Sequence, residues 1–332
     1  MPRKQPEPEI KPTLAITMGD PAGIGPEIVV KALNESEIYS VCRPYVVGDA
    51  GLLERTSIEL GLPNPFYGSA RTAVLLDQSN LPRRMKRGRA TAQGGRTSVR
   101  YVEFATNLAM LGTVSGIVTG PINKKALSLA GIEEHGHTEL LARFASVPRV
   151  GMLFWSPKLV VSLLTIHLPL EQAIRRINRR DMVRHLLFLE SEMQRLFGEA
   201  GRIAVAALNP HAGEEGLFGE TEGRELVPAI RACRNRGMKV SGPWPADSVF
   251  RRASEGEFDV VVALYHDQGL IPVKLLDPRG AVNVTLGLPF VRTSVDHGTA
   301  YDIVGKGTAE PENLVAAVRL AARLAINANR PA

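Results

Sequence analysis

Three of the seven histidines in this chain stand at or just past the ends of short apolar runs: His167 after VVSLLTI, His211 after VAALNP and His266 after VVVALY. Neutral imidazole is the commonest transition-metal ligand, and three protein ligands with an open position is the arrangement catalytic metals use. A metal held by the three together is one expectation; a hydrogen-bonded core or loop role for each is the other. His185, inside the arginine-rich helix DMVRHLLFLE, is read as structural. A second set suits an anion. His137 and Thr138 in GHTELLA fall at a helix start, where free backbone N–H groups and the helix dipole favour phosphate or carboxylate. Lys274, Asn283 and Arg292 follow within the strand–turn stretch VKLLDPRGAVNVTLGLPFVRTS. An ammonium, an amide and a guanidinium fork can together hold a doubly charged phosphate, although Lys274 or Arg292 alone reads as a surface ion-pair residue.

The stretch DHGTAYDIVGKGTAEPENL (296–314) offers Gly-Lys-Gly-Thr, but it is not a Walker loop: Ala300 stands where that pattern needs glycine, and Gly307 where it needs Ser or Thr. A Gly-x-Gly-x-x-Gly opening the first helix is also missing. If this loop touches a nucleotide cofactor, it does so in another fold.

The elements that must position these side chains alternate. TLAITMG (13–19), YVVGD (45–49), VSGIVTG (114–120), LVVSLLTIH (159–167), IAVAALN (203–209) and DVVVALYH (259–266) read as buried strands. Between them GPEIVVKAL (25–33), AGLLERTSIELG, SVRYVEFATNLAML (98–111) and NKKALSLAG read as helices. Strand then helix, repeated, argues an α/β fold with a largely parallel sheet, in which ligands bind beyond the carboxyl ends of the strands. At 332 residues, 44% of them hydrophobic, the chain is long enough for about two domains. Its formal charge of +6 gathers in LPRRMKRGRATAQGGRTSVR (81–100) and RRINRRDMVR (175–184), with no aromatic RNA-binding motif or zinc finger beside it, so no nucleic-acid partner is expected. Two cysteines without a CxxC suit a reduced, cytoplasmic protein. The first twelve residues read as a disordered tail, and no apolar run reaches the ~18 residues of a membrane span.

Seven blocks, ITMGDPAGIGPEI, TGPINKKAL, GHTELLA, LNPHAGEEGLFG, GPWPADSVF, YHDQGLIPVK and VNVTLGLPFVRTSVDHGTAYDIVGKG, in this order from residue 16 to beyond 307, resemble the 4-hydroxythreonine-4-phosphate dehydrogenase family of vitamin B6 biosynthesis and its relatives. The resemblance implies a two-domain fold like that of isocitrate and isopropylmalate dehydrogenases, with a cofactor-side domain of 13–135 plus 295–332 and a metal, substrate and dimerisation domain of 136–294. It implies metal-dependent, NAD- or NADP-linked oxidation with decarboxylation of a short 4-phosphorylated hydroxy acid. Carried over residue by residue, His167, His211 and His266 are the metal ligands, for zinc, magnesium or cobalt, at a site shared between the subunits of a homodimer. His137, Thr138, Lys274, Asn283 and Arg292 bind substrate, and His297, Gly298, Asp302 and Gly305 bind the cofactor, a glycine-rich structural turn being the alternative for the last set. Lys274, Asp247 in PADS and Asp267 in HDQG are the acid–base candidates, with a cap or turn role the alternative for each aspartate.

Where biosynthetic members tend to read HAGEGGHMG and to carry Pro directly after HDQGL, this chain has HAGEEGLFG and GLIPVKLLDPRG. Those features are closer to the branch that oxidises 4-phospho-threonate or 4-phospho-erythronate in sugar-acid catabolism. A third relative, a terephthalate dihydrodiol dehydrogenase, lacks the GHTE histidine and threonine, so His137 and Thr138 argue for a phosphorylated substrate. A non-catalytic binder of anions or nucleic acid is the remaining alternative.

Overall fold

The computed structural model describes residues 11–67, 72–79, 81–82, 85–134 and 136–328. The tail expected at 1–12 thus lies outside the described residues apart from Lys11 and Pro12, as do Arg83 and Arg84 of the basic stretch. The chain forms two compact units, Met1–Ser146 with Pro289–Ile326, and Val147–Leu288 with Asn327–Ala332.

The first unit opens with β1 (Thr13–Thr17), α1 (Gly25–Asn34), α2 (Ser36–Val41), β2 (Arg43–Gly48), α3 (Ala50–Leu60), β3 (Val74–Asp77), α4 (Ala92–Met110), β4 (Gly116–Thr119), α5 (Lys124–Leu129) and α6 (His137–Phe144). The second contains β5 (Gly151–Trp155), β6 (Val160–Leu163), α7 (Leu170–Arg175), α8 (Arg179–Phe197), β7 (Ile203–Ala206), α9 (Val227–Arg234), β8 (Val240–Trp244), α10 (Ala246–Ser254), β9 (Val260–Ala263), α11 (His266–Leu276) and β10 (Val282–Leu286). The chain then returns to the first unit as β11 (Val291–Ser294) and α12 (Glu312–Ala328).

In the first unit the strands run β3-β2-β1-β4-β11, all parallel. Their cores, such as Leu14 to Ile16 and Ile117 to Val118, are buried, because helices cover both faces of a parallel sheet. The helices start where their caps dictate: Asp49, Thr91 and Asn123 each accept a hydrogen bond from a backbone N–H three residues on. Glycines set how closely layers approach. A Cβ on Gly95 of α4 would lie 2.1 Å from the Ala126 carbonyl oxygen of α5.

In the second unit the order is β10-β5-β6-β9-β7-β8, antiparallel at β10/β5 and β5/β6 and parallel elsewhere. The core collects Phe154, Val161, Leu163, Ala204, Phe250, Val261 and Val273. The fold is therefore α/β with a largely parallel sheet.

Three expectations need correction. The strands expected to reach residues 167, 209 and 266 end at Leu163, Ala206 and Ala263, because the last residues leave the ladder to build the loops. Lys274 lies on α11 and not in a strand–turn region: the helix runs through Pro272 to Leu276. The unit boundaries also differ from 135/136 and 294/295. α6 packs on α4 and β11 pairs with β4, so His137, Thr138 and Arg292 belong to the first unit.

Candidate functional site

In the first unit Thr17, Thr119 and Ser294 end β1, β4 and β11 in register, and the chemistry gathers there. Arg292, two residues before the end of β11, is 1% exposed, and its Nη2 donates to Thr119 Oγ1 at 2.6 Å. Burial alone pulls its pKa down to about 9. His137 opens α6 and Thr138, buried, follows it. The His137 Nε2 is buried and has no hydrogen-bond partner among the described residues. Burial first, then the positive charge of Arg292, holds this imidazole well below its ordinary pKa of 6.5, so it is neutral. A buried guanidinium with a neutral imidazole and a hydroxyl is a donor set that suits an anion.

The loop 296–307 is knitted to the turn after β1. Gly19, at φ +76°, lets the chain fold back so tightly that a Cβ there would lie 2.4 Å from the Pro121 carbonyl oxygen. Asp20 follows, fully buried, accepting from Ala22 N at 2.8 Å and from the Tyr301 hydroxyl at 2.6 Å. Burial raises its pKa against the lowering effect of those two bonds. Ile24 N donates to Thr299 O at 3.0 Å, and a Cβ on Gly23 would lie 2.9 Å from Thr299. Of the residues assigned to a cofactor, His297 is half-buried, with Nδ1 3.0 Å from Gly298 O, whereas Gly298, Asp302 and Gly305 are exposed. Beside Gly305 and Gly307 opens a cavity of about 300 Å³, lined also by Gly23, Glu27, Lys31 and Arg87.

In the second unit β6 and β9 are parallel neighbours, so the loops that follow them run side by side. Thr165 Oγ1 donates to Leu264 O at 2.7 Å and Leu164 N to Ala263 O at 2.8 Å, tying the two loops together. Gly269 lets α11 sit down on these strands, since a Cβ there would lie 2.8 Å from both Val161 and Leu163. The outcome is that His167 and His266 face each other with ring centroids 5.7 Å apart. His266 Nδ1 lies 2.7 Å from Asp267 Oδ1, which leaves Nε2 as the outward nitrogen. His211 does not join them: its ring packs 5.9 Å from that of Phe218. Among the described residues no group of three or more His, Cys, Asp or Glu side chains is close enough to hold one metal.

His211 begins an unusual turn. It and Ala212, Gly213, Glu214 and Glu215 all have positive φ, between 42° and 83°. For the four non-glycines the left-handed region costs roughly 1–2 kcal/mol each. Such strain persists only where surroundings over-determine the backbone, as at ligand sites.

Lys274 is exposed in the last turn of α11. Asn283 on β10 is half-buried, its Oδ1 buried without a hydrogen-bond partner among the described residues. Asp247, in the first turn of α10, and Asp267 are exposed. Sequence reasoning passed over Asp20, Thr119, Tyr301 and Glu222. A buried Asp in the Gly-Asp-Pro that follows the first strand was a readable signal for the first; nothing local marks the other three.

This geometry has solved counterparts. A 4-hydroxythreonine-4-phosphate dehydrogenase from Klebsiella pneumoniae superposes with a TM-score of 0.84 at 41% identity, over 95% of this chain and 100% of that one. Two relatives are each 43% identical to this chain. One is a 4-hydroxythreonine-4-phosphate dehydrogenase of Desulforapulum autotrophicum, matched over 94% of this chain and 95% of its own length. The other is a D-threonate 4-phosphate dehydrogenase of Cupriavidus necator, matched over 95% and 97%. With a largely parallel α/β fold and dehydrogenases as its neighbours on both sequence and structure, the class is that of α/β dehydrogenases. More narrowly, residues 40–321 match the model of the pyridoxal phosphate biosynthetic protein PdxA, and the chain belongs to that family.

Proposed function

We propose that this protein oxidises a short 4-phosphorylated hydroxy acid at its carbinol carbon, with decarboxylation, using NAD or NADP. The substrate proposed first is 4-hydroxythreonine 4-phosphate. The observation that carries the phosphorylated substrate is the buried Arg292–Thr119 pair beside the neutral His137, whose Nε2 has no hydrogen-bond partner among the described residues. A phosphate there would receive the guanidinium fork, a hydroxyl and an imidazole N–H, and its charge would offset the cost of burying Arg292. The two-unit organisation is taken as that of the isocitrate and isopropylmalate dehydrogenases, with the cofactor on the first unit. The first unit then forms its cofactor side, together with the phosphate grip of His137, Thr138 and Arg292, and the second its metal and dimerisation side.

A divalent metal, zinc, magnesium or cobalt, fits His167 and His266, two imidazoles 5.7 Å apart, one of them oriented by a carboxylate. The third imidazole would be His211 from a second copy, which makes the enzyme a homodimer. When bound, the metal supplies a Lewis acid for the substrate oxygen. NAD or NADP, the hydride acceptor, fits the cavity of about 300 Å³ beside Gly305, with His297, Gly298 and Asp302 on the same loop. The chain's own residues do the rest. Arg292, His137 and Thr138 grip the phosphate, remote from the reacting carbon, and so orient that carbon. Lys274 and Asn283 contact the substrate, and Lys274, Asp247 or Asp267 takes the hydroxyl proton. The enzyme is proposed to work in the cytoplasm, since buried free Cys42 and Cys233 suit a reducing compartment.

A second reading is oxidation of 4-phospho-D-threonate or D-erythronate 4-phosphate. It draws support from HAGEEGLFG and from the D-threonate 4-phosphate dehydrogenase that is as identical as the biosynthetic relative, at 43%. The deciding experiment follows NADH or NADPH formation on all three acids with added Zn²⁺, Mg²⁺ or Co²⁺. Turnover of 4-hydroxythreonine 4-phosphate above the other two supports the first reading, a preference for the sugar acids supports the second, and no turnover of any phosphorylated acid refutes both.

A further inference from the structure

We propose that Glu222 is the positioning residue that holds His211 in its left-handed turn; the functional part of this inference rests on reading His211 as a metal ligand. The turn from His211 to Glu215 is strained at four non-glycine residues, and such a backbone needs a clamp. Glu222, 3% exposed, is built as one. Its Oε1 accepts from the backbone N–H of Leu208 at 2.8 Å and of Asn209 at 2.7 Å. Its Oε2 accepts from Asn209 Nδ2 at 2.9 Å. All three donors lie just before the turn, so one carboxylate fixes both the backbone and the side chain from which it departs.

The packing around the carboxylate is equally specific. A Cβ on Gly213, inside the turn, would lie 2.9 Å from Glu222 Oε2, and one on Gly219 would lie 2.8 Å from Asn209 Nδ2. The glycines thus let the turn close over the Glu222–Asn209 pair, and Phe218 N closes it by donating to Gly213 O at 3.1 Å. Glu222 itself sits in a single turn of π-helix, Glu222–Leu226, the kind of irregularity that often marks functional positions. Gln268 Nε2 donates to Ala207 O at 2.7 Å, and its Oε1 accepts from Leu264 N at 2.7 Å. The start of the His211 loop is thereby fastened to the end of β9, the strand that leads to His266. Glu222 takes over at the next two residues, Leu208 and Asn209, and so sets how the chain enters the turn.

Glu222 has no direct contact with His211 among these bonds, so it acts on that imidazole through the backbone. The test compares the full-length wild type with Glu222→Ala and with the conservative E222Q. Glu222→Ala leaves the backbone N–H groups of Leu208 and Asn209 without their acceptor. E222Q keeps an oxygen for both, and the Asn209 amide, turned over, accepts from the new N–H₂ group. Hydrogen exchange of amides 208–216 reads the turn directly, and calorimetric titration with Zn²⁺ reads its consequence. Glu222→Ala is expected to raise exchange in 208–216 at least tenfold while the strands β6, β7 and β9 stay protected, and to weaken Zn²⁺ binding about 10- to 100-fold. E222Q is expected to recover most of both. Wild-type exchange and wild-type Zn²⁺ affinity in Glu222→Ala overturn the proposal, as does E222Q no better than Glu222→Ala. If Glu222→Ala fails to fold, E222Q alone decides: a folded, protected turn supports the clamp and a second failure overturns it. A wild type that binds no Zn²⁺ sinks the metal reading of His211, and the exchange comparison still decides whether Glu222 holds the turn.

Discussion

Acid should destabilise this protein through a histidine that has no part in its chemistry. His185 sits on α8, 4% exposed, with Nε2 3.0 Å from the Ser162 hydroxyl of β6. Burial first, and the charge of Arg149 second, bring its pKa down from 6.5 to about 3. The unfolded chain therefore takes up a proton at this position below pH 6.5 that the native protein refuses until about pH 3. Stability contributed by the neutral imidazole is complete above pH 6.5 and falls as the pH drops through that window. At roughly 1.36 kcal/mol per pH unit, the loss from this one group between pH 6.5 and 4.5 is about 2.7 kcal/mol. His185→Gln keeps a hydrogen-bonding partner for Ser162 and cannot titrate. Urea denaturation of both proteins at pH 7.5 and pH 4.5 isolates the effect, because every other acid-sensitive group, His137 included, is common to the two. The wild type should lose about 2.7 kcal/mol more than His185→Gln on acidification. Equal losses would show that His185 is protonated, or reached by water, in the native state.

Other expectations follow from single contacts. Gly95→Ala drives a methyl against the Ala126 carbonyl, 2.1 Å from the ideal Cβ, and should cost about 1–3 kcal/mol of stability in thermal melts, whereas Gly223→Ala, with open space around it and no left-handed backbone, should lack that cost. Tyr301→Phe removes the hydroxyl that donates to buried Asp20 at 2.6 Å; a bond to a charged group is worth about 1.5–3 kcal/mol, so urea denaturation should show a loss of that size, and the loosened 296–307 loop should weaken dinucleotide binding in calorimetry while the KM for the phosphorylated acid stays put. Arg292→Lys replaces a planar fork, bonded to Thr119 at 2.6 Å, with a point charge, and steady-state kinetics should show kcat/KM for the phosphorylated acid down by roughly tenfold or more, with dinucleotide affinity unchanged.

What the sequence made legible follows from which interactions are local. IAVA and VVVA are buried throughout, as strands covered on both faces must be, and such apolar runs announce a parallel sheet before any pairing is known. GMLFW is as well buried, yet it pairs antiparallel with both neighbours, and a short apolar run carries no mark of its direction. Lys274, expected in a strand–turn stretch, lies instead on a helix that continues through Pro272, which local sequence gives little reason to expect. The facing of His167 and His266 depends on β6 and β9 being neighbours, which strands so far apart along the chain do not advertise. The turn at His211 is the extreme case. Gly213, Gly216 and Gly219 permit left-handed backbone and could be read as a loop, but nothing in His, Ala, Glu, Glu calls for it. That conformation is imposed by a carboxylate at position 222, and a strained backbone imposed from outside its own segment is legible only once the fold has brought the two together.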